Sequence, residues 1–316
     1  VTAVTRCSLA ADARGDSMVA TAPPAHRWLL IEHEGAWPVN AIDVFDRSVG
    51  RALAARADAM HARVSLIRRP GRHPREQSPL RWALADPTPG REGIRWGVVD
   101  RHVDLVGLDW DVTPGEGEAV AIVCAHSRHD VCCALRGRPV AAAMSNRWPG
   151  RVWECSHLGG DRFAATMVVL PHALCYGRVT DHAGGQILTA FEAGRLVPGH
   201  LRGRSCFTRR EQAAQALARD AGVGTDALGD LLPRSTRTLS EDVAQVVLGR
   251  EDDADVVVTL RERTVHLGTP ATCRSTVAAV AHEYDLVSVE PLADAVAGRA
   301  SRPAAGQERG SRSKMT

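Results

Sequence analysis

Three small α/β units in tandem are what this sequence of 316 residues predicts, the middle one of thioredoxin size and element order. Three observations carry that expectation. Short apolar runs such as "RWLLIEHEG" and "AVAIVC" have the length of buried strands and stop at Gly or polar residues. Between them, segments such as "DVFDRSVGRALAARADAMHARV" space Val44, Val49, Leu53 and Ala57 at helical intervals. Strand and helix then alternate along the chain, as they do where helices pack on the face of a sheet.

Taken in order, residues 1–24 are rich in Ala, Ser and Pro and read as a flexible lead-in. A first α/β unit follows over 25–112. It comprises a strand in 27–35, a helix in 43–64, a short strand "VSLIRRPGR" (64–72), and the strands "RWALAD" (81–86) and "IRWGVVD" (94–100). The turn "TPGEGE" opens a second unit over 113–204. There "AVAIVC" (119–124) is a continuous apolar run of central-strand type, and "CALRGRPVAAAMSN" (133–146) reads as a helix with Pro139 as a kink or true start. "RVWEC" is another strand, "RFAATMVVLPHALCYGRVT" (162–180) a hairpin around "PHA", and "GGQILTAFEAGRL" (184–196) a closing helix. A third, α+β module spans 205–296, with helices expected over 208–222 and 273–284 and strands in 255–268 and 286–292. From 297 to 316 the Arg, Ser, Gly and Pro content predicts a disordered tail.

Composition narrows the function. A formal charge of +2 lacks the electrostatic footprint of a nucleic-acid or anionic-membrane binder. No apolar run approaches the roughly 20 residues of a membrane span, and the N-terminal stretch lacks a secretory apolar core, so a cytoplasmic, reducing location is expected. The eight cysteines (7, 124, 132, 133, 155, 175, 206, 273) then read as thiols or metal ligands before disulfides. Four of them fall between Cys124 and Cys155. No dinucleotide fingerprint, Walker loop or nucleophile elbow is present.

In "VCAHSRHDVCCALRG", Cys124 closes a strand and Cys133 opens a helix. A strand end is a rigid mount, and a helix N-terminus favours a thiolate through its free N–H groups and dipole. The second half repeats the layout: "RVWEC" ends a strand, and "SHLGGD" is a loop whose glycines permit close backbone approach. Thiolates and imidazole in this arrangement suit an iron–sulfur cluster, and zinc would accept them too. Cys132 is an alternative to Cys133, but neighbours on a helix point about 100° apart, so only one of them reaches a given metal. Cys7, Cys206 and Cys273 read as isolated, Cys175 as a core strand residue, and His126, His129 and His172 as solvent-facing. The arginines of "IRRPGR" (67–72) read as a solvated loop or a docking patch for an acidic partner.

"CAHSRHDVCC" followed by "CSHLGGDRFAATMVVLP" resembles the sucrase/ferredoxin-like family, whose members carry a thioredoxin-like [2Fe-2S] ferredoxin domain. The resemblance implies a cluster held by two cysteines nine positions apart, which fall on Cys124 and Cys133, and by a His-x-Gly-Gly-His pair, whose first member falls on His157. The second member is Asp161 in this chain. A carboxylate is a hard donor for cluster iron, so Cys155, two residues before His157, is the preferred fourth ligand. Asp161 would then act on the ring of His157.

The implied function is electron transfer through a [2Fe-2S] cluster held by Cys124, Cys133, Cys155 and His157, serving a redox partner protein and not acting on a substrate of its own. A zinc-stabilised interaction module and a thioredoxin-class thiol enzyme are the alternatives. The second is weakened because the cysteines are adjacent, not Cys-x-x-Cys. No carboxylate pair suited to glycoside hydrolysis stands out.

Overall fold

The computed structural model describes residues 6–71, 79–110, 115, 117–251 and 254–292. It is a mixed α/β structure built on two sheets. In the first unit, β1 (Arg27–Glu32) and β2 (Ala62–Arg68) run parallel, joined by the helix α2 (Arg47–Ala59). Val49, Leu53 and Ala57 form the buried stripe of that helix, at the spacing read from the sequence. They pack with Leu29, Ile31 and Leu66. The hairpin β3 (Leu80–Asp86) and β4 (Gly93–Val99) adds antiparallel to the far side of β1.

The second unit repeats the β-α-β pattern. β5 (Val120–Cys124) and β6 (Val152–Cys155) are parallel neighbours, connected by α3 (Val131–Arg147). β7 (Met167–Leu170) and β8 (Leu174–Tyr176) form the expected hairpin, followed by α4 (Asp181–Glu192) and β9 (Leu201–Arg204). Pairing of β2 with β6 fuses the two units into one nine-stranded sheet, ordered β4-β3-β1-β2-β6-β5-β7-β8-β9. Strand alternation then sorts β5 into two cores. Ile122 and Cys124 face Trp28, Trp153 and Cys155, while Ala121 and Val123 face Val140, Ala141 and Met144 of α3. Gly137 lets α3 lie directly against the end of β5, since a Cβ there would collide with the Cys124 carbonyl oxygen.

The third module is a meander of β10 (Leu232–Thr238), β11 (Val243–Gly249), β12 (Val256–His266) and β13 (Val280–Pro291), covered by α5 (Arg209–Asp220). Here two expectations change. Residues 280–284, expected in a helix, belong to β13, which pairs with β12 along its length from Val280↔His266 to Pro291↔Val256. Alanine-rich local propensity gives way to a long unpaired strand edge that needs a partner. The second change concerns the N-terminal lead-in, where Cys7–Arg14 form the helix α1 with Cys7, Ser8 and Ala11 buried. Its short, small-residue stripe carries little periodic signal; Arg136 and Arg178 hold it through Asp12, at 2.8 and 2.9 Å. The expected tail from 297 lies outside the described residues. No described helix is long and apolar enough to cross a membrane.

Candidate metal centre

The parallel pairing of β5 with β6 sets Cys124 directly beside Cys155 at the carboxyl ends of both strands. This is the edge of an α/β sheet where loops gather and sites form. After Cys124 the chain makes a short polar loop and enters α3, capped by Asp130, whose carboxylate accepts from the Cys132 N–H at 2.8 Å. Cys133 therefore sits in the first turn, fully buried, and turns back toward Cys124. Its thiol donates to Asp161 Oδ1 at 3.1 Å. The same oxygen lies 3.0 Å from His157 Nδ1, and Asp161 Oδ2 lies 3.7 Å from His129 Nε2. The His129 and His157 rings stack with centroids 3.5 Å apart.

Two arginines, half-buried Arg63 and buried Arg202, hold the loop that presents His157 and Asp161. Arg63 donates to the His157 carbonyl at 2.9 Å, and Arg202 donates to the Gly159 carbonyl at 2.8 Å. Gly160 has φ +78, and a Cβ on it would run into the Arg202 guanidinium. What Gly160 approaches closely is thus an arginine of β9. His126 completes the frame. It is 1% exposed, accepts the His157 backbone N–H at Nδ1 (3.2 Å), and places Nε2 2.7 Å from the Pro38 carbonyl. Those two partners require the neutral Nε2–H tautomer, and burial lowers the His126 pKa in agreement.

The charges are mutually stabilising. The hydrogen bond from Cys133 pulls the Cys124 thiol well below its ordinary value despite complete burial, and Cys133 rises in turn. Burial opposes the charge on His157, but Asp161 and Cys124 outweigh it and push the imidazole up to about 9. Burial likewise opposes ionisation of Asp161, yet His157 and the Cys133 thiol hold it below the usual carboxylate range. Asp161 Oδ2 is nonetheless buried without a hydrogen bond. An orphaned acceptor among two thiols and two imidazoles is a position a metal would satisfy.

The structure thus brings Cys124, Cys133, His157 and Asp161 together. Cys155 is different. It is fully buried in the same cluster as Cys124 and Cys133, beside Cys124 in register, and its Sγ makes no hydrogen bond among the described residues. Burial drives its thiol pKa well up, and the Cys133 thiol is raised as well, by its hydrogen bond to Cys124 and by burial. Of the two candidates for the fourth donor, Asp161 is the one whose carboxylate touches both Cys133 and His157. Sequence reading put His126 and His129 at the surface, whereas the first is buried under the site; the second is partly exposed and stacks on His157. Their signal was position, since both follow the strand end that carries Cys124. Cys175 is a core residue of β8, as read. The arginines of the 67–72 stretch are engaged: Arg68 pairs with Glu154 at 2.7 Å, and Arg69 covers Trp153 at 3.5 Å. Arg72 lies outside the described residues.

A family model described as sucrase/ferredoxin-like matches residues 18–203. No curated protein and no solved structure matches the chain.

Proposed function

From the premise that the chain belongs to the sucrase/ferredoxin-like family, we propose that it is an electron-transfer protein whose resident group is a [2Fe-2S] cluster. Cys124 and Cys133 would hold one iron, and His157 and Asp161 the other. The observation that carries this reading is the convergence of two thiols, an imidazole and an orphaned carboxylate oxygen from two strand ends and one helix start. When bound, such a cluster supplies one-electron oxidation and reduction.

The protein's own residues do the rest. Cys124 and Cys133 sit in a dry, fully buried corner that keeps water from the sulfurs. His157, with 26% of its side chain exposed, forms the rim through which a partner would approach. Arg63 and Arg202 leave their positive charge close behind the loop, within electrostatic reach of Asp161. A neutral imidazole in place of a thiolate, together with those cations, favours the reduced state and raises the potential. Loading requires the proton shared by Cys124 and Cys133 and the proton on His157 to leave, so uptake is pH-dependent. The redox partner is a protein chosen by the surface around His157 and His129.

Anaerobic purification followed by a visible spectrum and an iron and sulfide assay tests the reading. A brown protein with two irons and two sulfides per chain is the expected result. A colourless protein holding zinc at Cys124 and Cys133 would replace it with the structural-zinc alternative.

A further inference from the structure

A second thiol cluster lies on the opposite side of the α3 start. Cys132, one residue before Cys133, points away from the first site toward Cys7 of α1 and Cys273 of the loop before β13. Three cysteines separated by more than a hundred residues in sequence meet there. The Cys7–Cys132, Cys132–Cys273 and Cys273–Cys7 sulfur separations are 3.7, 3.4 and 3.5 Å. Asp130 Oδ2 stands 3.5 Å from Cys7 Sγ, and all four donor atoms lie within 4.8 Å of one another.

These spacings have a direct geometric reading. A disulfide would bring two sulfurs to about 2.05 Å, which none of the three pairs approaches. Thiolates on one tetrahedral zinc, with Zn–S about 2.3 Å, sit about 3.8 Å apart, and a carboxylate oxygen at about 2.0 Å sits about 3.5 Å from each of them. The observed sulfur triangle follows that pattern with a slight contraction, and Asp130 Oδ2 stands at the expected distance from Cys7. We infer that Cys7, Cys132, Cys273 and Asp130 form a structural zinc site, distinct from the proposed cluster site and independent of its identity.

The surroundings suit a thiolate-rich cation site. Cys7 is the first residue of α1 and Cys132 lies in the first turn of α3, so two helix N-termini aim their positive ends at the sulfurs. The Cys7 backbone N–H points at Cys273 Sγ at 3.4 Å, and the Cys273 N–H donates to Asp130 Oδ2 at 2.6 Å. Cys7 and Cys132 are buried while Cys273 is half-buried, which closes the site on three sides and leaves an entry path. Binding releases the thiol protons to solvent and needs no oxidant. The ion would pin α1, α3 and the loop before β13 to one point, linking the third module to the sheet. Since Asp130 Oδ1 caps α3, the same point fixes the helix turn from which Cys133 projects.

The test uses the full chain purified under reducing conditions, with zinc as the probe. Metal analysis should find one zinc per chain beyond any iron, and X-ray absorption at the zinc edge should show three sulfurs and one oxygen. Cys7→Ser and Cys273→Ser should each lose that zinc while keeping the iron and sulfide of the first site. Failure of the proposed function would read differently, as missing iron with zinc still bound and still sensitive to Cys7. The inference is overturned by a wild-type chain that takes up no zinc on titration, or by zinc surrounded by two sulfurs and lost with Cys133→Ser. A native disulfide among the three thiols would overturn it as well.

Discussion

Replacing each of the two loop glycines with alanine should give sharply different results, although they are neighbours and both have positive φ. Gly159 has φ +86, and a Cβ there would meet only Pro23, at 3.7 Å, an ordinary contact. Gly159→Ala therefore carries the left-handed backbone cost alone, about 1 kcal/mol. Gly160 has φ +78, and its Cβ would displace the Arg202 guanidinium. That side chain is 3% exposed and donates to the Gly159 and Thr21 carbonyls at 2.8 and 2.5 Å. Losing one such charged hydrogen bond costs about 2–3 kcal/mol, so Gly160→Ala should destabilise by roughly 3–4 kcal/mol in all. Urea unfolding followed by tryptophan fluorescence measures both, and iron content measures the site. Gly160→Ala should lower the midpoint several times more than Gly159→Ala and load less iron, because the loop that carries His157 and Asp161 shifts. Equal midpoints for the two variants would refute the view that Arg202 sets the loop's position.

Cys133→Ser should abolish the visible cluster spectrum, while Cys132→Ser should leave most of it, since the two side chains face different clusters; the opposite pattern would reverse the helix register. Asp161→Ala should lose iron and Cys155→Ala should retain it, read by iron and sulfide assay; iron loss confined to Cys155→Ala would return the thiol to the ligand set. His172 supplies the pH prediction. Burial, with help from Arg204, lowers its pKa from 6.5 to about 4, and Glu92 faces it at 3.9 Å. Between those values the unfolded chain binds the proton and the folded chain does not, so stability falls as pH drops from 6.5 toward 4. The loss is on the order of 3 kcal/mol at most. His172→Gln should flatten that part of the wild-type thermal-midpoint profile, and parallel profiles would rule the histidine out as the cause.

What was legible in the sequence followed from local pattern. The strand "AVAIVC", the buried stripe of α2 and the hairpin around Pro171–Ala173 each declare themselves within a dozen residues, because burial in a sheet or on a helix imposes a period. That Cys124, Cys133 and His157 meet in space was legible for the same reason, since they are attached to the ends of those elements. The fusion of two units through a short pairing of β2 with β6 was not, since two residue pairs leave no mark on either strand. Nor was the first part of β13, residues 280–284, whose conformation is decided by the free edge of β12, although its second part over 286–291 was read as a strand.

Asp161 and Cys155, the two candidates for the fourth donor, reach the site by different routes. A thiolate is the better match for iron, and Cys155 lies beside Cys124 in register. Yet a strand residue cannot choose its direction. Its side chain is committed to one face by the pleat, here the face it shares with Cys124, Trp28 and Trp153. Asp161 sits at the end of a loop bent by two left-handed glycines and held by Arg63 and Arg202, so it can be delivered onto His157 and Cys133. The same reasoning separates the adjacent cysteines. One residue's advance around the first turn of α3 sends Cys132 to Cys7 and Cys273 and Cys133 to Asp161. Asp130, capping that turn with one oxygen and meeting the second thiol cluster with the other, is the residue on which both arrangements depend. Asp130→Asn keeps the cap but weakens the carboxylate corner, so zinc affinity should fall while the iron at the first site stays; unchanged zinc and unchanged iron would mean that its role is the cap alone.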